Sequence, residues 1–166
     1  AARVLARVSS YGAQGFVVRM NEKAVELGLT STRYADPSGL LSDNVSSAYD
    51  LALIAREGLK NPDFARYART VRATFPGKEP KKAGQKRSTF AIETQNRLMR
   101  DGYKGAIGVK TGYTTKAGRT YVGAAERDGT LLLVTLMANV EPTEVAAKRL
   151  LDWGFANASR VTVPVG

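Results

Sequence analysis

An α+β domain is predicted from three observations. Apolar residues recur at helical spacing in the first half of the chain, at 15–28 and again after Ser47. Three β-rich runs follow in the second half, at Ile107 to Tyr113, Arg119 to Glu126 and Thr130 to Ala138. The last two are joined through Arg127-Asp128-Gly129, and Asp-Gly between such runs signals a tight hairpin. Helices covering a face of an antiparallel sheet accommodate both periodicities in one core. A chain of 166 residues suffices for one such domain.

Residues 1–10, AARVLARVSS, are amphipathic and show neither a leader-like pattern nor an initial methionine, so the chain reads as a mature product or an excised piece. Residues 15–28, GFVVRMNEKAVELG, set Phe16, Val17, Met20, Ala24 and Leu27 on one helical face, with Gly28 as the stop. Residues 29–46 are loop-like, with PSG at 37–39 and SDN at 42–44. Ser47 precedes Asp50 by three, a capping-box spacing, and Leu51, Ile54, Ala55 and Leu59 form the stripe of the helix that follows. Asn61-Pro62 ends that helix and opens a short one through Tyr67. Residues 70–93 read as a hairpin with an exposed tip. Pro142 starts a last helix, with Val145, Ala146, Leu150 and Trp153 inward and Gly154 at its end. VTVPV at 161–165 is a further extended piece, which Pro164 places at a sheet edge.

The sequence contains no cysteine and no histidine. That excludes disulfides, thiol nucleophiles, Ser-His-Asp triads and metal sites built on His or Cys. Lys, Tyr, Asp and Glu are left for proton transfer, and no cofactor is implied. No run approaches the length of a membrane-spanning helix. Much of the net charge of +10 lies between Arg66 and Lys104, including KEPKKAGQKR at 78–87, and such charge attracts polyanions. No aromatic residue interleaves with Lys78 to Arg87 as a stacking platform requires, so the cluster is read as a solvated hairpin tip and no nucleic acid is expected as a partner.

The stretch GVKTGYTTKAGRT at 108–120 carries chemistry. On a strand, Lys110 and Gly112 point to one face and Thr111 to the other, unless a strand twist or a local bulge turns Thr111 into the same groove, an alternative the sequence leaves open. Lys110 supplies a compact cation, Thr111 a hydroxyl donor, and Gly112 an open approach to the backbone. A peptide laid antiparallel along this strand would gain main-chain hydrogen bonds, and its terminal carboxylate would meet the cation and the hydroxyl.

GVKTGYTTKAGRTYVGAAERDGTLLLVTLM resembles the region around the third motif of the low-molecular-mass penicillin-binding proteins, the serine-type D-alanyl-D-alanine carboxypeptidases. RMNEKAVELGL, DPSGL, SSAYDLALIAR, NRLM and AAKRLLDWGFA are similar to segments of that family in the same order. The resemblance covers residues 1–157, read as the C-terminal portion of a catalytic domain, with 158–166 an extended tail leading out of it. It implies the penicillin-recognising fold shared with serine β-lactamases, an antiparallel sheet flanked by helices. It also implies a substrate, a peptidoglycan stem peptide ending in D-Ala-D-Ala, and a serine nucleophile with a lysine base that β-lactam antibiotics acylate. Carried over, Lys110 orients the substrate carboxylate and maintains a positive potential, Thr111 donates to that carboxylate, and Gly112 clears the groove. The backbone N–H of Tyr113 becomes one donor of an oxyanion hole. The family implies an extracytoplasmic location, in the periplasm or at the cell wall, and leaves open whether the intact protein is anchored to a membrane.

Two motifs of that family are not found. No serine is followed three residues later by lysine, so the Ser-x-x-Lys nucleophile and base are absent from these residues. Ser42-Asp43-Asn44 matches the family's Ser-x-Asn literally. In the family, however, that motif precedes the segment resembling RMNEKAVELGL, whereas Ser42 follows it. AARVLAR resembles what comes after Ser-x-Asn, so the N-terminal part, with both motifs and the first strands of the sheet, is expected to be missing. The edge left unpaired is expected to need that N-terminal segment or a second copy of the chain as a partner. A further departure is Ala138-Asn139-Val140-Glu141, where many relatives carry Gly-Arg, a second source of carboxylate contact. The expected function is therefore a fragment of a D-Ala-D-Ala carboxypeptidase, inactive by itself. A β-lactamase of the same fold and a non-catalytic remnant that grips peptidoglycan or a partner enzyme are the alternatives.

Overall fold

The structure, a computed structural model, describes residues 1–82 and 84–158. The expected extended piece at 161–165 lies outside them. Two helices open the chain, α1 (Ala2–Val8) and α2 (Gly12–Glu26). The second starts three residues before its predicted boundary but buries the predicted face, with Phe16, Val17, Met20 and Leu27 half-buried around Ala24. It stops where glycine allows. Gly28 has a φ of 69°, and the N–H of Leu29 reaches back to the Ala24 carbonyl at 2.9 Å, closing the last turn.

The loop 29–46 folds around two carboxylates rather than an apolar centre. Asp36 accepts from the N–H groups of Ser38 at 3.1 Å and Gly39 at 3.0 Å, from Asn44 Nδ2 at 2.6 Å, and from the Ser38 hydroxyl. Asp50, on α3 (Ala48–Leu59), accepts from the Ser31 N–H at 3.0 Å and Thr32 Oγ1 at 2.6 Å. The predicted capping box is thus half formed. Ser47 Oγ accepts from the Asp50 N–H at 3.0 Å, but the Asp50 carboxylate turns to the loop instead of returning the bond. Asn61 caps α4 (Pro62–Ala68), its Oδ1 accepting from the N–H groups of Asp63 and Phe64, each at 3.0 Å.

The expected hairpin at 70–93 is a two-stranded sheet of β1 (Arg72–Pro76) and β2 (Thr89–Glu93), in register from Arg72↔Glu93 to Pro76↔Thr89. A one-turn helix that the periodicity did not signal, α5 (Arg97–Arg100), leads into the main sheet. That sheet is an antiparallel meander of β3 (Ala106–Thr114), β4 (Gly118–Arg127) and β5 (Thr130–Asn139). Asp128 and Gly129 both take left-handed backbone angles, φ 49° and 78°, as a two-residue hairpin turn demands.

α6 (Thr143–Asn157) packs on one face of the sheet. The core there joins Leu98, Tyr121, Ala125 and Val134 to Ala147 and Leu151. Val122 and Ala124 alternate onto the opposite face of β4 and are also buried, and α3 lies against β4 and β5. The inward stripe of α6 differs from the predicted one. Ala146, Ala147 and Leu151 are buried, while Val145, Leu150 and Trp153 are 50%, 45% and 62% exposed. Gly154 does not end the helix but sits inside it, where a Cβ would lie 2.8 Å from Leu132 Cδ1. The helix therefore presents small residues to the sheet and approaches it closely, a choice set by sheet shape rather than by apolar periodicity.

Candidate functional site

β3 is an edge strand. Among the described residues it pairs with β4 alone, so its other side offers unpaired main-chain groups. Its register with β4 sets Thr111 opposite Tyr121, Gly112 opposite Thr120, and Tyr113 opposite Arg119. Tyr121 belongs to the core under α6, which fixes the faces: Thr111, Tyr113 and Arg119 share the α6 side, and Lys110, Gly112 and Thr120 take the other.

A cleft of about 610 Å³ opens on the α6 side, with Thr111, Gly112, Tyr113, Arg119 and the neighbouring Thr120 as the sheet wall. Gln95 and Arg97 lie across from them, and Thr143 and Glu144, at the start of α6, close the end. Of the four predicted site residues, Thr111, Gly112 and Tyr113 are brought together here. Lys110 is not among the lining residues; it is exposed, and its ammonium group donates to the Thr111 carbonyl. The Tyr113 ring is 68% exposed and so does not serve as packing. Gly112 keeps the Lys110 face smooth, since a Cβ there would lie 2.6 Å from Thr120 Oγ1.

The electrostatics of the cleft follow from three groups. Arg97 Nη1 meets Glu144 Oε1 at 3.0 Å. Burial pushes the Glu144 carboxyl up, but its own backbone N–H at the helix start, the Arg97 hydrogen bond and the charge of Arg119 outweigh burial and hold it below the usual carboxylate range. Tyr121 anchors the floor. Burial pushes its phenol up to about 12, so at neutral pH it is a hydrogen donor, and it bonds Asn96 Oδ1 at 3.0 Å. It is no candidate for a general base. Among the described residues, no group of three His, Cys, Asp or Glu side chains is placed to hold a metal.

Ser42-Asp43-Asn44 is structural. Asn44 Oδ1 accepts from the N–H groups of Ala35 at 2.9 Å and Asp36 at 3.2 Å while its amide donates to Asp36, so the side chain is committed to the loop. Lys116 Nζ reaches the Ser42 carbonyl at 3.4 Å, tying this loop to the β3–β4 turn. Sequence reasoning missed Gln95, Arg97, Arg119, Thr143 and Glu144. A signal for Arg119 did exist: counting outward from the short turn between Tyr113 and Arg119 pairs them across the hairpin.

Solved structures that share this fold include DD-peptidases. The chain superposes on the crystal structure of a D-alanyl-D-alanine carboxypeptidase from Mycobacterium tuberculosis H37Rv with a TM-score of 0.83 at 36% identity, over 99% of this chain and 62% of that one. On the Streptomyces K15 DD-transpeptidase the TM-score is 0.75 at 32% identity, over 86% of this chain and 55% of the other. In sequence, the carboxypeptidase DacB2 of Mycobacterium tuberculosis is 40% identical over 148 residues, 84% of this chain and 48% of the relative. DacF of Bacillus subtilis is 32% identical over 155 residues, 92% of this chain and 38% of the relative. The chain thus spans about half, or less, of the length of these curated relatives. Residues 1–140 match the D-alanyl-D-alanine carboxypeptidase family, and the chain belongs to it.

Proposed function

We propose that this chain is the substrate-holding portion of a serine-type D-Ala-D-Ala carboxypeptidase that trims peptidoglycan stem peptides outside the cytoplasm. One observation carries the reading: Lys110-Thr111-Gly112-Tyr113 lies on the edge strand β3, beside a cleft with a hydroxyl and cations in its walls. An extended peptide adding to this edge gains main-chain hydrogen bonds, and its terminal carboxylate meets Thr111 and the positive potential of Lys110 and its neighbours. The Tyr113 N–H donates to the penultimate carbonyl oxygen as negative charge develops there.

In the reaction, a serine Oγ attacks that carbonyl carbon, its proton passes to a lysine base and then to the departing D-Ala amine, and water hydrolyses the resulting ester. No serine in these residues has a lysine three positions on, so the nucleophile and base come from outside them. Residues 1–157 then form the C-terminal portion of the catalytic domain; of the expected tail at 158–166, residues 159–166 lie outside the described residues. β-Lactams, whose carboxylate mimics that of the peptide, would use the same strand edge.

Titrating ¹⁵N-labelled chain with a diacyl-Lys-D-Ala-D-Ala peptide tests the reading. Amide shifts should cluster at 110–113 and on the facing part of β4; no shifts, or shifts centred elsewhere, would refute it. Fluorescent penicillin should leave the isolated chain without a covalent label, and an acyl adduct on Ser42 would overturn the structural role of that loop.

A further inference from the structure

We infer that Arg119 is the principal cation that anchors the substrate's terminal carboxylate in this protein, ahead of Lys110. The inference rests on the functional reading above and assigns the specificity of that site. Its first support is position. Arg119 sits on β4 directly opposite Tyr113 of β3 and opposite Asn139 of β5, at the end of the sheet where the cleft opens. Thr111 is its diagonal neighbour across the strand pair on the same face, a spacing of about 7–8 Å between Cα atoms that a long side chain spans. A carboxylate bonded to the Thr111 hydroxyl is therefore within reach of the Arg119 guanidinium. Lys110 alternates to the opposite face and does not line the cleft.

The second support is charge. The cleft walls carry two cations, Arg97 and Arg119, and one acid, Glu144. Arg97 is committed to Glu144 at 3.0 Å. Arg119 makes no ion pair or side-chain hydrogen bond with any described residue, although its charge reaches Glu144. The cleft thus carries one uncompensated positive charge, on a planar group that binds a carboxylate through two parallel hydrogen bonds. The third support is the neighbour on β5. Asn139 faces Arg119 in the register, and its amide is turned away to the Glu141 carbonyl at 2.7 Å, so β5 offers no competing charge at this position.

The test compares a diacyl-Lys-D-Ala-D-Ala peptide with its C-terminal amide, binding to the whole chain and to Arg119→Ala, Arg119→Lys and Lys110→Ala. The unaltered chain should prefer the acid. Arg119→Ala should lose roughly ten- to hundredfold of that preference, the size of a charge-assisted contact. Arg119→Lys should keep part of it, and Lys110→Ala most of it. Melting temperatures should stay within a degree or two for Arg119→Ala, since the side chain has no partner to lose. Undiminished acid preference in Arg119→Ala, or its collapse in Lys110→Ala instead, would overturn the assignment while leaving the functional reading intact. Failure of the unaltered chain to bind either peptide would sink both.

Discussion

Among the described residues, two antiparallel sheets differ in what stands behind them. Every residue of β2 is exposed, and in β1 only Ala73 is even half-buried. β4, by contrast, buries five consecutive residues, Tyr121 to Ala125. The hairpin holds itself together across the strands, through the stacked rings of Phe75 and Phe90, 6.2 Å apart, and an Arg72–Glu93 ion pair at 3.4 Å. Such pairs contribute about 0.2–1 kcal/mol each. The meander is backed by α6 on one face and buries residues on the other, so its strands are held by a packed core. The difference teaches where a binding edge belongs. β3 presents Lys110 to Tyr113 from a sheet whose far side is fixed, and a fixed edge would take up the proposed extended peptide without first paying its own ordering entropy.

The largest effect should come from the core behind the site. Leu151→Ala removes a fully buried side chain that touches the Tyr121 cluster, and should destabilise the chain by about 2–5 kcal/mol in urea unfolding. A loss under about 1 kcal/mol would mean that the meander is no better supported than the hairpin. Next comes the acid-centred loop. Asp36→Asn replaces a carboxylate that accepts four or more hydrogen bonds with an amide that has one oxygen to offer, and should lower stability by about 1–3 kcal/mol.

That loop also sets a pH dependence. Burial pushes the Asp36 carboxyl up, but the hydrogen bonds of Ser38, Asn44 and the Leu41 N–H outweigh it and hold the group well below its ordinary value. Asp50 is held down likewise, chiefly by the Thr32 hydroxyl. A depressed folded value means that the stabilisation is complete above the unfolded carboxylate range, about pH 4, and is lost as pH falls toward the folded value. Melting temperature should therefore drop between about pH 4 and pH 2, and Asp36→Asn should flatten that drop; an identical slope in the variant would rule out Asp36 as a source.

Thr111→Val separates binding from folding. It keeps the shape of β3 but deletes a hydroxyl, so peptide affinity should fall about tenfold while the melting temperature barely moves. A parallel loss of both would reduce Lys110-Thr111-Gly112 to a strand edge with no ligand. The smallest effect belongs to the hairpin: Phe90→Ala breaks one half-exposed ring pair and should lower stability by about 0.5–1.5 kcal/mol. A larger loss would show that the hairpin is packed as part of the core, and the contrast between the two β units would fail.

The sequence by itself determined what depends on neighbours a few residues apart. Gly28 marks the end of α2, Asn61 caps α4, Asp128-Gly129 turns β4 into β5, and Lys110 to Tyr113 is a strand, because each rests on local backbone angles or on hydrogen bonds within a turn. Family membership was legible for a related reason: short segments in a fixed order survive as a linear pattern. What only the tertiary structure decided involves competition between alternatives that are locally equal. α6 carries two apolar stripes one residue apart, and the sheet selects the one built from Ala147, Leu151 and Gly154 because small residues let helix and sheet approach. The Asp50 carboxylate had its own helix start within reach and went to Ser31 and Thr32 instead, across the loop. The cleft itself joins Gln95, in the bend before α5, and Arg97 of α5 to Arg119 of β4 and Glu144 of α6. Strand register and helix docking bring those charges together, and both are set by burial of surfaces far apart in the chain, which local periodicity does not encode.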